Sequence, residues 1–491
     1  MLNLEQYSEI CKKCDKILLE NSNNKARISI PWLHVLNEHP ANLIQYEIIY
    51  KEDKIIYHTH FLNYLFSSIK ILIKSIFKPI TNQNRIRDNS VIFISHLLDP
   101  KDLNVDEDFY FGNLQNEIDK INKPNHLLLL NHTNLSSLFL NESSYKNNKT
   151  VFPEYLRFKY ELKLRINLFR ESIRLYFKSL STKNDFLQKR IYKYASIQAL
   201  NNGSLLSLRL YYYLFSLIKL NKINLLLTTY EGHSWERMAF AACNNKIKVK
   251  SVGYHHTIIF NRQHAIFREI KINYEPELIF TAGDYAKSYF ININKNVYTL
   301  GTYKFNSLKE SINKFPIINK NPTCLVLPDA IISEIIYIFR LVLNFSKDYK
   351  HINFIFRLHP AINKTDFINQ YNEFAILPNN ICFSNNDLNL DFEKSNWFMY
   401  RGSNSAIYAL IMGLRPIYIA KENELTLDCL FNFNEWKKVV YNYEELLNVF
   451  NSDLKNIIDY NFINEMENDI KRAKSYFMPF NIKIFINNLF T

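Results

Sequence analysis

Short apolar runs alternate with longer helical patterns along most of this chain. The first series of runs predicts buried strands at Val91–Ser95, Leu127–Leu130, Ile223–Thr229, Ile247–Gly253, Leu278–Ala282 and Val297–Gly301. A second series predicts strands at Thr323–Leu327, Asn353–Leu358, Ile381–Ser384, Trp397–Tyr400 and Pro416–Ala420. Strands that alternate with helices favour parallel sheets wrapped by helices. The sequence therefore predicts an α/β protein with two doubly wound domains that face each other across a cleft.

Changes in the pattern of apolar and polar residues along the chain indicate the domain boundaries. The polar stretch Lys304–Asn321 separates the two series of strands and is interpreted as a linker. We expect an N-terminal α/β extension at 1–90, a first doubly wound domain at 91–305 and a second at 306–491, because 491 residues suffice for two or three cores. The helical patterns that carry this division are Glu154–Lys178, Asp185–Leu220, Ser333–Phe345, Lys364–Asn372, Ser403–Met412, Tyr443–Val449 and Phe462–Leu489. The last is long enough to return to the first domain.

Composition excludes several classes of protein. Six cysteines are spread thinly, so the sequence favours neither a disulfide framework nor a cysteine-rich zinc site, and it indicates a reducing, cytoplasmic compartment. The first residues lack the basic and apolar segments of a signal peptide. No apolar run reaches the ~20 residues that span a bilayer. Nucleic acid is not an expected partner either, since no nucleic-acid-binding motif accompanies the basic charge.

The basic charge does point to a surface. The chain carries a formal net charge of +13, and Lys70, Lys74 and Lys78 recur every four residues within Phe61–Ile80. Lysines at this spacing share one face of a helix. Two interpretations remain open: peripheral contact with an anionic membrane such as the inner membrane, or an amphipathic helix packed on its own domain with a solvated basic face.

Asn396–Ile419 predicts a strand, a tight turn, a helix and a second strand. Gly402 interrupts the first strand, Ser403 is a suitable N-cap, and the apolar residues after it recur at helical spacing. A helix that begins at Ser403 directs backbone N–H groups and the positive end of its dipole towards the strand ends. This segment predicts a phosphate site, although an ordinary helix cap gives the same pattern. The candidate residues are Arg401, Gly402, Ser403, Asn404 and Ser405.

A second candidate lies at the end of the run Asn353–Pro360. Alternation along the strand puts Arg357 and His359 on one side at its carboxyl end, and Pro360 stops the strand. A cation and a titratable donor would then reach the same crevice as Ser403. A lone histidine is otherwise more often part of the core or the surface.

Two turns in the first domain supply titratable groups. Glu231 and His233 follow the strand Ile223–Thr229, and Glu236 lies in the next helix, where a carboxylate facing the cleft could take a proton from an acceptor hydroxyl. Either glutamate could instead support the helix dipole. A later turn offers His255 and His256 on the acceptor side, but not as a metal pair, because neighbouring strand residues point to opposite faces. A weaker acceptor-side group is Trp32, His34, Glu38 and His39.

These motifs together resemble the GT-B class of glycosyltransferases, and within it the bacterial sialyltransferases and Kdo transferases that use CMP-activated sugars. Those families pair an acidic-acidic-Gly motif in the first Rossmann-type domain with a His-Pro motif and a Ser-rich motif in the second. Tyr230-Glu231-Gly232 matches the first motif in part, and His359-Pro360 and Ser403-Asn404-Ser405 match the others. Thr229–Met238 and Pro328–Glu334 also resemble a group of bacterial surface-carbohydrate biosynthesis proteins.

The resemblance implies the transfer of a nonulosonic acid (sialic acid or Kdo-like) from a CMP donor to a glycan or lipid-linked glycan, in the synthesis of a surface polysaccharide such as capsule or lipopolysaccharide. It makes 91–305 the acceptor domain and 306–491 the donor domain. His359 and the serines would hold the CMP phosphate, and Glu231 would be the base with Glu236 in reserve. Arg357 or Arg401 would pair with the sugar carboxylate, and no metal cofactor is expected. The alternatives are a UDP-sugar or CDP-polyol donor, or a non-catalytic carbohydrate-binding scaffold.

Overall fold

The first sheet contains seven parallel strands within the part of the chain that the structure describes. The structure is a computed structural model, and it describes residues 3–30, 49, 57–77, 86–133, 135–142, 148–245, 247–261, 264–268, 270–294, 296–303, 315, 321–360, 362–422, 425, 428–455 and 460–490. The strands are β1 (Ser90–Leu97), β2 (Asn125–Asn131), β3 (Lys149–Val151), β4 (Ile223–Thr229), β5 (Lys250–His255), β6 (Leu278–Thr281) and β7 (Val297–Thr299). Their spatial order is β3-β2-β1-β4-β5-β6-β7.

The second sheet repeats this topology with six parallel strands among the described residues. They are β8 (Thr323–Pro328), β9 (Asn353–Phe356), β10 (Ile381–Phe383), β11 (Trp397–Arg401), β12 (Arg415–Ile419) and β13 (Lys438–Val440), in the order β10-β9-β8-β11-β12-β13. Each order reverses once, between β1 and β4 and between β8 and β11. The predicted fold of two doubly wound Rossmann-type domains is confirmed. Ligands of such sheets bind beyond the carboxyl ends of the strands at this reversal.

The helices of the first half surround the first sheet. They are α1 (Leu4–Leu19), α2 (Lys25–Ile28), α3 (Tyr57–Phe77), α4 (Leu114–Lys120), α5 (Ser137–Glu142), α6 (Phe158–Ser181), α7 (Phe186–Gln198), α8 (Asn202–Lys219), α9 (Ser234–Cys243), α10 (His264–Phe267) and α11 (Asp284–Phe290). The predicted helix Asp185–Leu220 is thus two helices, which meet at a turn around Asn201. The side chain of Asn201 caps α8 by accepting a hydrogen bond from the backbone N–H of Ser204, 3.0 Å away.

The helices of the second half are α12 (Ile332–Asp348), α13 (Lys364–Gln370), α14 (Leu388–Lys394), α15 (Ser405–Ile411), α16 (Tyr443–Lys455), α17 (Tyr460–Lys474) and α18 (Ile482–Leu489). The last two replace the single terminal helix that the sequence predicts. α18 does return to the first domain, where Phe485 is fully buried with its ring 5.6 Å from that of Phe280 in β6. The prediction of a terminal crossing is confirmed.

The described residues of the N-terminal extension are helical. Its described residues form α1, α2 and α3, which pack on the helices outside the first sheet, and the strand β1 begins only at Ser90. Trp32, His34, Glu38 and His39 lie outside the described residues, as does Lys78. In the described part of the chain, every helix is too short or too polar to traverse a bilayer.

The two domains meet through the loops at the carboxyl edge of the first sheet. Ile258 and Phe260, which follow β5, belong to the buried core cluster of the second domain. Asn432 of the second domain donates a hydrogen bond to the hydroxyl of Tyr289 in α11, 3.2 Å away. The carboxyl edge of the first sheet therefore borders the second domain.

Candidate functional site

Strand order brings one group of titratable side chains together at the carboxyl edge of the first sheet. β2, β1, β4 and β5 are consecutive neighbours, and all run in the same direction. The residues near their ends are His132, His96, Glu231 and His256. This group surrounds the reversal between β1 and β4, where a ligand of a doubly wound domain is expected.

A buried carboxylate shapes the turn after β4. Glu236 in α9 is fully buried, and its Oε2 accepts hydrogen bonds from the backbone N–H groups of Glu231 and His233, each 2.9 Å away. Its Oε1 accepts one from the hydroxyl of Thr229 at 3.1 Å. Gly232 has φ +84, and a Cβ there would lie 2.4 Å from the carbonyl oxygen of Ala265, so this position requires glycine. Burial is the main reason why the pKa of Glu236 is raised to about 7.

Glu231 points from this turn towards two histidines. Its Oε2 lies 3.0 Å from Nε2 of His233, and its Oε1 lies 3.7 Å from Nε2 of His256. Burial acts to raise the pKa of Glu231, but the hydrogen bond from His233 and electrostatic interactions with His256 and His233 hold it well below the usual range. Burial likewise opposes the charged form of His233, but the bond to Glu231 raises its pKa to about 9. The two side chains form an ion pair at neutral pH.

Tyr230 shows why Glu231 is the acid that faces the site. Tyr230 occupies the position of the first acid in the sequence motif, and it is fully buried with its hydroxyl donating to Oε2 of Glu275 at 2.6 Å. Its neighbour Glu231 projects to the other side, where its side chain is 26% exposed. Alternation along the backbone thus separates the two positions.

The same alternation separates the two predicted acceptor-side histidines. His256 reaches Glu231 and contacts the ring of Tyr110 at 4.5 Å, and it is 11% exposed. His255 points into the apolar core with its ring 5.0 Å from that of Phe290, and its burial lowers its pKa to about 3. We therefore carry His256, but not His255, into the proposed site.

Two further histidines and a tyrosine belong to this group, although the motifs did not identify them. Nδ1 of His96 lies 2.7 Å from Nε2 of His132, and its ring is 5.4 Å from that of Tyr110 and 5.3 Å from that of Trp235. Burial, followed by the neighbouring His132, lowers the pKa of His96 to about 3, and burial also lowers the pKa of His132. Both rings are neutral at physiological pH.

A cavity of about 360 Å³ opens beside this group. His96 and Tyr110 form its border with the glutamate and histidines, and the long loop after β1 contributes much of the wall. Its other lining side chains include Asp102, Glu107, Asp108, Phe109, Lys149 and Tyr303. Aromatic surface next to carboxylates suits a hydroxylated ligand, because the rings cover apolar faces while the carboxylates accept hydrogen bonds.

The carboxyl edge of the second sheet holds the His-Pro motif. Nη1 of Arg357 donates to Oδ2 of Asp391 at 2.6 Å and to the carbonyl oxygen of Asn386 at 2.7 Å. Asp391 is fully buried. His359 and Pro360 are exposed after β9. The arginine is thus partly neutralised within the protein, and the histidine faces solvent.

The Ser-rich motif follows β11 at the reversal of the second sheet. Gly402 has φ +68, Ser403 is buried, Asn404 is exposed and Ser405 is half-buried. The helix α15 begins at Ser405 with Asn404 as its N-cap and has seven residues, whereas the sequence predicted a helix from Ser403 with that serine as the cap. The hydroxyl of Ser403 therefore lies in the turn before the helix.

Arg401 is part of the protein core. It is fully buried, and its guanidinium pairs with Glu334 and donates to the carbonyl oxygen of Ile419. Lys421 binds the other oxygen of Glu334 at 2.7 Å. This network occupies the side chain that we expected to bind a sugar carboxylate, so Arg401 is not part of the proposed site.

Across the described ranges, no set of three or more His, Cys, Asp and Glu side chains has an arrangement suited to a metal ion.

Comparisons with known proteins add the following. No protein-family model matches the chain, and curated protein sequences gave no significant match. Among solved structures, the chain is similar to trehalose 6-phosphate synthase from Burkholderia multivorans (TM-score 0.46, 9% identity, 82% of this chain and 96% of that one). It is also similar to MurG from Acinetobacter baumannii, with a TM-score of 0.45 and 8% identity over 82% of this chain and 99% of that one. The similarity to UDP-GlcNAc 2-epimerase from Neisseria meningitidis has a TM-score of 0.43 and 12% identity over 82% of this chain and 99% of that one. The fold assignment rests on strand order, which is independent of these similarities.

Proposed function

We propose that the protein is a glycosyltransferase of bacterial surface polysaccharide synthesis that uses a nucleotide-activated sugar. The favoured donor is a CMP-activated nonulosonic acid, on the basis of the His-Pro and Ser-rich motifs. The observation that carries the proposal is the position of Glu231 at the reversal of the first sheet. Its carboxylate lies 3.0 Å from His233, in a group whose His96 and Tyr110 line a cavity suited to a hydroxylated acceptor. The second domain would bind the donor beyond the carboxyl ends of its strands.

Glu231 is the proposed base. Its Oε2 is engaged by His233, and its Oε1 lies 3.7 Å from His256, beyond hydrogen-bonding distance. An acceptor hydroxyl placed at Oε1 transfers its proton there while its oxygen bonds to the anomeric carbon. The bond from that carbon to the phosphate oxygen breaks, and the nucleotide leaves with the electron pair. A carboxylate with a lowered pKa is a weak base, so this proton moves late, after the new bond has largely formed.

Glu236 acts as a positioning residue in this scheme. Its two oxygens are occupied by the backbone of the turn and by Thr229, and its side chain is fully buried. It therefore fixes the direction of Glu231 without touching a substrate. His233 supports the same carboxylate from the other side, and His256 borders the acceptor cavity through its contact with Tyr110.

On the donor side, we propose that His359 and the turn Gly402–Ser405 hold the phosphate of the nucleotide. A nucleoside monophosphate carries less charge than a diphosphate, so an imidazole, hydroxyls and backbone N–H groups can stabilise it as it departs, without a metal. Arg357 is the remaining candidate for the sugar carboxylate. Its exposed fraction is 22%, and its pairing with the buried Asp391 fixes its orientation.

A thermal-shift panel tests this function. CMP, CDP, UMP and UDP are each added to the protein, since a ligand that binds the folded state raises the unfolding temperature. Selective stabilisation by CMP supports the CMP donor. Selective stabilisation by UDP or CDP would move the donor to a UDP-sugar or a CDP-polyol. A protein that binds nucleotide but never hydrolyses or transfers the activated sugar would be a scaffold, and the catalytic proposal would be wrong.

A further inference from the structure

The helix α3 has three distinct faces. It contains 21 residues and is therefore ~31 Å long. One face is buried against the neighbouring helix α6: the hydroxyl of Tyr64 donates to the carbonyl oxygen of Arg165 at 2.9 Å, and Nη1 of Arg165 donates to the hydroxyl of Ser68 at 2.7 Å. Packing on its own domain, one of the two interpretations left open by the sequence, thus uses only part of the helix surface.

The second face is apolar and exposed. Its residues recur at spacings of three and four, so they form one continuous stripe beside the buried face. They are Leu62 (51% exposed), Leu65 (37%), Phe66 (71%), Ile69 (56%), Ile73 (51%), Ile76 (55%) and Phe77 (77%). Scattered apolar side chains are normal on a protein surface, whereas a stripe of seven large ones along a single helix marks an interaction site.

The third face carries positive charge. Lys70 and Lys74 are exposed, and at 100° per residue they lie on the far border of the apolar stripe from the buried face. The helix contains no aspartate or glutamate. The adjacent helix α6 exposes Leu162 and Ile166 near Phe169, whose ring lies 5.5 Å from that of Phe61 in α3.

We propose that this face of α3 lies in the surface of an anionic lipid bilayer. An apolar stripe flanked by lysines is the pattern of an interfacial helix, in which the apolar side chains enter the acyl boundary while the ammonium groups reach the lipid phosphates. The chain's net charge of +13 favours the same surface. The proposal is independent of the proposed catalytic function, because it concerns a helix outside both sheets.

Charge argues against a second copy of the chain as the occupant. In a twofold contact the same patch meets itself. Two copies of this helix would bring Lys70 and Lys74 of each towards an equally positive partner, and the helix has no acidic side chain to pair with them. Lipid phosphates supply the missing negative charge.

Vesicle sedimentation of the full chain tests the proposal. Vesicles of phosphatidylcholine with phosphatidylglycerol are expected to bind the protein, and vesicles of phosphatidylcholine alone to bind it more weakly. The triple variant Phe66→Ser, Ile69→Ser, Ile73→Ser should weaken partitioning about a hundredfold, because three large apolar side chains no longer leave water. Lys70→Gln and Lys74→Gln should each weaken it about fivefold on the anionic vesicles only, which corresponds to ~1 kcal/mol per basic residue.

Matched controls separate this face from exposed apolar surface in general. Ile272 is 84% exposed and Ile376 is 89% exposed, both away from α3, so Ile272→Ser and Ile376→Ser should bind vesicles as the parent does. In the variant Phe66→Trp, anionic vesicles should shift the tryptophan emission to shorter wavelength. The proposal is wrong if the parent protein sediments with neither kind of vesicle, or if the triple variant binds vesicles as strongly as the parent. A dimer in light scattering that the triple variant converts to a monomer, without vesicle binding, would assign the face to a second copy instead.

Discussion

The carboxyl edges of the two sheets have the same topology but differ in the burial of their ion pairs. At the first edge, Glu231 and His233 pair with each other while both remain partly exposed. At the second edge, Arg357 pairs with a buried aspartate, and Arg401 with a buried network. Charges that pair at the surface of a cleft can respond to a substrate, whereas charges paired in the core fix the backbone. Under the proposed function, this difference favours proton transfer at the first edge, and binding through hydroxyls, backbone groups and His359 at the second.

The largest effect is expected for Arg401→Met. Removing this guanidinium leaves Glu334 with Lys421 as its remaining partner and leaves the carbonyl oxygen of Ile419 without its donor. Loss of one member of a buried pair costs about 3–5 kcal/mol of unfolding free energy. Denaturant titration measures the change. Arg340→Met is the matched control, since Arg340 is 58% exposed and pairs with Glu373 at the surface. A stable Arg401→Met protein with weakened donor binding would instead place Arg401 at the ligand.

Glu231→Gln is expected to lower turnover about a hundredfold or more, the usual contribution of a positioned base. CMP affinity should be nearly unchanged, because the residue lies in the other domain from the proposed phosphate site. A sugar-transfer assay measures the loss of turnover, and titration with CMP measures the unchanged affinity. Glu236→Gln should keep more activity, since glutamine still accepts the backbone hydrogen bonds of the turn. If Glu236→Gln is inactive while Glu231→Gln works at the parent rate, the base is Glu236.

On the donor side, His359→Ala should weaken CMP by about 1.5–3 kcal/mol if a charge-assisted hydrogen bond is lost. Transfer should slow as well, because charge develops on the phosphate as the glycosidic bond breaks. His351→Ala is the control, since His351 is an exposed histidine of the same domain. Unchanged CMP affinity in His359→Ala would mean that the phosphate binds elsewhere.

The ion pair at the first edge should appear in the pH dependence of stability. The pKa of His233 rises from 6.5 to about 9 on folding, so its stabilisation is complete below pH 6.5 and is lost as the pH rises through 9. Solvent screening at a side chain that is 29% exposed reduces this contribution to about 1–2 kcal/mol. Thermal unfolding between pH 6.5 and 9 should show the decline, and Glu231→Gln should flatten it. An equal decline in that variant would exclude the pair as its cause.

The smallest expected effect is that of chelation. If hydroxyls, backbone and His359 stabilise the departing phosphate, transfer should continue at the parent rate in excess EDTA. A turnover assay before and after chelation measures this. Loss of transfer on chelation, with recovery on adding magnesium or manganese, would show that the reaction needs a metal.

Much of the fold follows from local patterns, and the exceptions have local causes. The central strands are predictable because they are short, mostly apolar and bounded by turns. β3 and β13 were missed because each has three residues and begins with a lysine, as edge strands often do. The prediction that Arg401 binds a sugar carboxylate is wrong because its partner is distant in the sequence. A strand-terminal arginine next to a glycine turn gives no local sign that its guanidinium pairs with Glu334, 67 positions away.

The candidate site depended on strand order, which the sequence does not state. Glu231 and His256 stand out locally because each follows a predicted strand. His96 and His132 also follow predicted strands, so the rule that ligands bind at carboxyl ends could have found them. What the sequence could not supply is that β1 lies between β2 and β4, which brings residues more than a hundred positions apart into one group.

The return of α18 to the first domain affects the order in which the protein can be assembled. Phe485 is fully buried in the core between the first sheet and its covering helices, and the backbone of Asn481 donates to the carbonyl oxygen of Leu300 at 2.8 Å. Domains usually fold as units while they emerge from the ribosome. Here the first domain to emerge lacks part of its own cover until residues 482–490 have been synthesised. The first domain is therefore synthesised first, but its core is complete only after the second domain has been synthesised.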